Sequence, residues 1–267
     1  MRIRIVDAFT DRPFAGNPAG VLVLDSADFP DDRWLQQVAT EVNHAETAFV
    51  VPLPDDPDAD WALRWFTPKA EVRLCGHATL ATAHVLGGSV RFRTRHSGIL
   101  TAEVADDGGI TLDFPVAPLT AIGVPADIAP AIGAEPLSVH ETGENVGDLL
   151  VELADEKTVR GLEPDMAAVA ALGSRRGLIV TAAADGPAAG YDFVSRGFFP
   201  SLGIPEDPVT GSAHTALAPF WSSRFGRPRL TGLQASARTG LVGTTLRGDR
   251  VLLTGTAVTV IDGELHG

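Results

Sequence analysis

Two patterns of apolar residues alternate along the chain. Short runs rich in Val, Ile, Leu and Phe have the pattern of strands, and clusters of Gly, Pro, Asp and Asn separate them. A few longer runs recur at helical spacing. In the first half the pattern predicts strands over 2–8, 19–24, 46–51 and 62–66, then 91–94, 98–104 and 110–114. A helix is predicted over 30–42, with Asp31 and Asp32 in its first turn and Trp34, Leu35, Val38 and Ala39 on one face. A second has its body over 80–86 and ends at Gly87-Gly88. Residues 52–60 form an exposed acidic loop, and the Pro- and Ala-rich stretch 115–136 reads as a linker.

The second half repeats this order. A strand over 145–153 answers the one over 19–24, and a helix over 164–171 answers 30–42. Strands over 177–180 and 191–199 follow, then a helix from 212, an extended segment over 236–242 and a closing strand over 251–260. The separation of matched residues grows from 128 at Asn17/Asn145 to 135 at Gly76/Gly211 and 142 at Gly98/Gly240. Steady growth through loops is what a duplicated domain shows. The reading is two halves, 1–118 and 119–267, with central helices near 77–86 and 212–222. Each central helix is apolar on nearly every face and therefore buried. An α+β fold follows: a curved, barrel-like sheet around a central helix, twice.

The two central helices begin alike, at Cys75-Gly76-His77-Ala78-Thr79 and at Thr210-Gly211-Ser212-Ala213-His214. A Gly at such a junction lets a ligand approach the backbone. The unpaired N–H groups of a first helical turn favour an anion. One small acid held by two such helix starts is the expected ligand.

Composition narrows the partners. Hydrophobic residues make up 45% of the 267, enough for a sizeable core. A net charge of −13, from 34 acids against 21 bases, argues against binding nucleic acid or an anionic membrane. The single cysteine excludes an intrachain disulfide and fits a reducing cytoplasm. The start, Met1-Arg2-Ile3-Arg4, is charged too soon for a signal peptide, and no apolar run is long enough to span a membrane.

The acids are not repeated between the halves. Glu46 opens a first-half strand, where the second half has Ser174-Arg175-Arg176-Gly177; Glu206-Asp207 precede the second Gly, where the first half has Arg73-Leu74. Glu46 reads either as a capping or surface acid or as a general acid/base facing a cleft. His77 reads either as a capping or core histidine or as a site residue. Cys75 is either an inert buried thiol or one activated by a helix N-terminus. A metal site is not expected, since neither HxH nor HExxH spacing occurs. Ser212 lacks the Gly-x-Ser-x-Gly frame of a serine hydrolase. No Rossmann or phosphate-loop pattern is present. His140, His266 and the Arg175-Arg176 pair read as solvated surface.

Four motifs in order carry a resemblance: Val6-Asp7-Ala8-Phe9-Thr10 with Pro13-Phe14-Ala15-Gly16-Asn17-Pro18-Ala19; Asn43-His44-Ala45-Glu46-Thr47-Ala48-Phe49; Phe66-Thr67-Pro68 with Cys75-Gly76-His77-Ala78-Thr79; and Gly203-Ile204-Pro205-Glu206-Asp207-Pro208-Val209-Thr210-Gly211-Ser212-Ala213-His214. Over almost its whole length the chain resembles the phenazine-biosynthesis PhzF-like isomerases. The resemblance implies a diaminopimelate epimerase-like fold, with two pseudo-symmetric halves and an active site between them. It implies proton movement on a small carboxylic acid, without cofactor or metal, by a cytoplasmic homodimer. Carried over by motif, Glu46 is the acid/base, and His77, Asp207 and Ser212 hold and polarise the substrate. Asn17, Cys75, Gly76, Thr210, Gly211 and Ala213 bind it, the glycines through backbone N–H groups. Such a mechanism needs a carboxyl held above its ordinary pKa of about 4.3 and donors for an enolate-like charge. A two-thiol racemase is excluded by the cysteine count. A racemase using a mixed Cys75/Asp207 pair stays open, as does a non-catalytic small-acid binder.

Overall fold

The computed structural model describes residues 1–172 and 176–266, apart from the side chains of Asn145 and Pro187. Ser174 and Arg175, singled out above, lie outside the described residues. The chain divides into two compact units, Met1–Asp113 with Thr254–Gly267, and Phe114–Leu253.

In the first unit, Arg2–Ala8 pairs antiparallel with Asn17–Val23, which runs parallel to Glu46–Pro52. Glu46–Pro52 pairs antiparallel with Trp61–Phe66, itself parallel to Val90–Thr94, and Ile99–Val104 follows antiparallel. The sequence sets these strands by alternation. In Val90–Thr94, Val90, Phe92 and Thr94 are buried while Arg91 and Arg93 face solvent and pair with Asp60 and Asp56 of the acidic loop. The helix Asp32–Val42 starts where Asp31 accepts a hydrogen bond from the Arg33 N–H, and ends at Asn43 in the left-handed region. Its Leu35, Val38 and Ala39 pack on Leu22, Phe49 and Val51. On the other side of the sheet the central helix Gly76–Leu86 is buried at every residue from His77 to Ala83 and touches five strands. Polar residues inside it turn back on the helix: Thr79 and Thr82 donate to the carbonyls of Cys75 and Ala78.

The second unit repeats the pairing order. Ser138–Glu141 is antiparallel to Asp148–Glu152, which is parallel to Gly177–Ala183; Phe193–Phe199 follows antiparallel, Arg229–Gln234 parallel and Gly240–Arg247 antiparallel. Even a minor element recurs. Glu71–Val72 pairs antiparallel with Trp61–Phe66, and Ile204–Asp207 pairs in the same sense with Phe193–Phe199. The central helix Gly211–Phe225 is buried through most of its length, despite Pro219 inside it. Trp221 stacks on Phe193 and Phe225 and donates its indole N–H to Thr181. The fold class expected from the sequence is the one observed: α+β, two like halves, each a sheet around a central helix.

Several boundaries differ from expectation. The expected single strand over 251–260 is two, Arg250–Gly255 and Ala257–Glu264, and the latter pairs with Arg2–Ala8. The last strand thus belongs to the first unit, although it lies in the second half of the sequence. Period-2 alternation marks a strand but not its partner, so the sequence pattern left this return unseen. The expected linker 115–136 carries a strand, Thr120–Ile122, and a short helix, Ile128–Ile132, whose Ile128, Ala131 and Ile132 enter the core. A further helix, Glu156–Gly161, precedes Met166–Ala170. Asn145, matched above to Asn17, sits in a short helix, Gly143–Val146, whereas Asn17 opens a strand.

Candidate active site

In the first unit three chain segments converge on His77. Glu46 is the first residue of its strand, Asn17 is the first residue of the neighbouring strand, and Cys75 caps the central helix. Glu46 pairs with Ala19 across the parallel ladder, two residues from Asn17, which brings both side chains to the helix start. His77 Nε2 stands 3.3 Å from Glu46 Oε2. His77 Nδ1 stands 3.2 Å from the Asn17 amide nitrogen and 3.5 Å from Cys75 Sγ. With the Asn17 N–H donating to Nδ1, a neutral imidazole carries its proton on Nε2, toward Glu46.

The distance from Glu46 to His77 is within ion-pair range, but charge is not what joins them. His77 is buried, and burial pushes its pKa down to about 3, so the ring is neutral at physiological pH. The Glu46 side chain is 14% exposed and the Cys75 thiol is buried. A carboxylate at the rim of a neutral imidazole can exchange a proton with a ligand, while the imidazole holds one of its oxygens in place. One oxygen of Glu46, one nitrogen of His77 and the Cys75 sulfur also lie within 4.8 Å of one another, a donor set that a divalent cation can use. Motif spacing missed this set because Glu46 comes from another strand.

The second unit gathers a different group. Asp207 ends the strand Ile204–Asp207 and is nearly buried. Its Oδ2 accepts a 2.6 Å hydrogen bond from the Thr210 hydroxyl. Gln234 locks the turn: its amide oxygen accepts from the Thr210 N–H at 2.8 Å, and its amide nitrogen donates to the Asp207 carbonyl at 2.7 Å. Thr210 caps the central helix, so these bonds tie Asp207 to the helix start. His214 donates from Nδ1 to the Thr210 carbonyl at 2.9 Å, the service that Thr79 performs for Cys75 in the first unit. Burial pushes His214 down to about 4, so it too is neutral.

Ser212, the second residue of that helix, accepts a 2.8 Å hydrogen bond from Arg176 Nη2. Arg176 also makes a two-pronged ion pair with Asp148, whose side chain is fully buried. Burial raises the Asp148 pKa, and the Arg176 contacts oppose it.

Of the expected site residues, Glu46, His77, Cys75 and Asn17 cluster around one imidazole in the first unit, with Gly76 in the helix start. In the second, Asp207 and Thr210 share one turn, and Gly211, Ser212 and Ala213 form the first helical turn. Two readings are corrected. Arg176 is not a solvated basic residue but the partner of a buried acid. His140 is half-buried, its ring edge-on to Phe220 at 5.2 Å. Asn17, expected to bind the substrate, is buried beside His77 with its amide nitrogen 3.2 Å from Nδ1. Sequence motifs miss Gln234 and Asp148; a Gln inside a β-pattern and an Asp opening an apolar strand are the local signals that mark them.

The family model for phenazine biosynthesis-like proteins matches residues 6–263. An uncharacterised isomerase of Pseudomonas aeruginosa is 45% identical, over 98% of this chain and 97% of its own length. A PhzF-family protein of Enterococcus faecalis, solved by crystallography, superposes with a TM-score of 0.90 at 39% identity, over 99% of this chain and 98% of that one. A hydroxyproline epimerase of Agrobacterium vitis shares the fold at 13% identity, with a TM-score of 0.60 over 98% of this chain and 91% of that one. Among the described residues no helix is long and apolar enough to cross a membrane.

Proposed function

The chain belongs to the phenazine biosynthesis-like family, whose members include proteins named isomerases, and from that premise we propose that it moves a proton on a small carboxylic acid by general acid/base catalysis at Glu46. The observation that carries this reading is the Glu46 carboxylate 3.3 Å from a neutral, buried His77. In the proposed cycle Glu46 takes a proton from carbon and returns it to another position of the same skeleton. His77 holds the carboxyl through Nε2–H without adding a charge that would suppress its basicity, and Asn17 keeps that proton on Nε2. Asp207, held by Thr210 and Gln234, and Ser212, held by Arg176, are proposed to take part in the same reaction, as the family resemblance implies. No step calls for a cofactor.

A second reading draws on Cys75. Its Sγ lies 3.5 Å from His77 Nδ1, close enough for a thiol–imidazole pair, and would serve a racemase that pairs Cys75 with Asp207. One experiment separates the readings. A panel of small unsaturated, cyclic and amino acids is incubated with enzyme in deuterium oxide, and incorporation is read by NMR. Wild type labels a carboxylic acid. Glu46→Gln abolishes labelling and Cys75→Ser preserves it under the first reading; the pattern reverses under the second. A panel that is bound but never labelled identifies a binding protein.

A further inference from the structure

Arg176, just before the strand Gly177–Ala183, is anchored by several contacts. Its N–H donates to the Gly147 carbonyl at 2.8 Å, and its own carbonyl accepts from the Ser201 hydroxyl at 2.7 Å. Its guanidinium lies 5.1 Å from the centre of the Phe199 ring. Nε and Nη2 grip the two oxygens of Asp148 at 2.9 and 2.6 Å. Asp148 is itself fixed, because Thr142 bonds both its N–H and its carbonyl. Next to Arg176, Gly177 has no room for a side chain: a Cβ there would lie 2.1 Å from the Phe199 ring and 2.6 Å from the Phe198 carbonyl oxygen. The guanidinium is held by Asp148 and the Phe199 ring, and its second Nη2 proton goes to Ser212 Oγ.

That contact fixes the sense of the Ser212 hydroxyl. A guanidinium only donates, so the serine oxygen is an acceptor there and its own proton must point elsewhere. Among the described residues no acceptor takes that proton. A serine hydroxyl in the first turn of a helix ordinarily has other choices, including nearby backbone carbonyls. Here one lone pair is committed to a cation and the proton is left for an incoming acceptor.

We propose that Arg176, clamped by the buried Asp148, is a positioning residue that turns the Ser212 hydroxyl outward as a hydrogen-bond donor to a carboxylate oxygen of the substrate. This rests on the isomerase reading only in taking Ser212 as a substrate contact. It deepens that reading by assigning the substrate's carboxylate to the Ser212 hydroxyl. Lys cannot replace Arg176, because a single ammonium cannot fork onto Asp148 and also reach Ser212 in this geometry.

Benzoate, a planar ring carboxylate, serves as the probe, with its affinity measured by calorimetry and NMR titration. Ser212→Ala, which leaves the ion pair intact, weakens benzoate about tenfold. The paired change Asp148→Leu with Arg176→Met, which strands neither charge, weakens it by a similar factor. Arg176→Lys does not rescue. All three changes together weaken benzoate no more than the larger of the two, because they break one unit. With a substrate found by deuterium labelling, the loss falls on KM and leaves kcat within about threefold, whereas a merely structural loss lowers the active fraction and kcat. The proposal is overturned if wild type does not bind benzoate, if Ser212→Ala binds as wild type does, if Arg176→Lys is normal, or if the two losses multiply. Labelling that survives Glu46→Gln would sink the catalytic reading and leave these affinities untouched.

Discussion

In the first unit the helix Gly76–Leu86 begins beside Glu46 and a neutral imidazole; in the second the helix Gly211–Phe225 begins beside a guanidinium and a hydroxyl. The scaffold beneath them is the same. Each helix is capped by a residue whose carbonyl is tied down four residues later, by Thr79 in one case and His214 in the other. Each lies against a sheet with the same succession of parallel and antiparallel pairings. What differs is what opens the strand beside the helix. Glu46 opens one; Gly177, with Arg176 before it, opens the other. The proposed roles are proton transfer at the first helix start and anion orientation by Ser212 at the second. On that proposal, a few changes at the strand ends give the two halves of a duplicated fold different roles.

The comparison breaks most visibly at Glu46. Glu46→Gln keeps the shape of the side chain and removes the proton carrier, so turnover should fall by about 10²–10⁴-fold with melting temperature preserved. His77→Phe removes the Nε2–H that holds Glu46 but leaves the carboxylate; a loss of roughly 10-fold in kcat is expected, smaller than at Glu46, because an orienting bond and not the base is gone. If His77→Phe costs as much as Glu46→Gln, the imidazole itself carries a proton and the division of labour must be redrawn.

Stability against pH sharpens the same comparison, because both central helices bury a neutral histidine near their start. The folded pKa values, about 3 at His77 and about 4 at His214, lie below the ordinary 6.5. The unfolded chain therefore binds more protons as pH falls below 6.5, and stability is full above that value and declines beneath it. Each histidine contributes on the order of 1.4 kcal/mol per pH unit until its folded pKa is reached. Denaturant melts of His214→Phe between pH 7 and 4 should show a shallower decline than wild type. A wild-type stability that is flat over this range would mean that the histidines are not buried neutral.

The smallest effects are expected at Cys75 and on chelation. Cys75→Ser should keep turnover within about threefold, since a neutral imidazole needs no thiol partner. Prolonged dialysis against EDTA should leave turnover unchanged, while added zinc, taken up by Glu46, Cys75 and His77, should suppress it. Loss of activity on chelation would contradict cofactor-free chemistry.

Much of this was legible along the chain. The central helices announced themselves because an apolar run without a polar face has only one place to go. Their shared start, a Gly followed by a small or polar residue, marked both halves. Glu46 and His77 were legible only through the four motifs, since no local rule joins a strand end to a helix start so far along the chain. Arg176 reads as half of an exposed basic pair, because the buried acid it pairs with opens a different strand. The closing strand Ala257–Glu264 was recognisable as a strand, yet its partner depends on tertiary pairing, which alternation does not encode.

The proposed roles, proton transfer at Glu46 and anion orientation at Ser212, are tested most directly by measuring two properties of Glu46→Gln side by side. Turnover, read as solvent deuterium entering the substrate, should disappear. Benzoate affinity should stay within about twofold of wild type, because the amide keeps the size of the acid and the anion-orienting serine is untouched. Normal labelling, or a collapse of benzoate binding together with labelling, would contradict the claim.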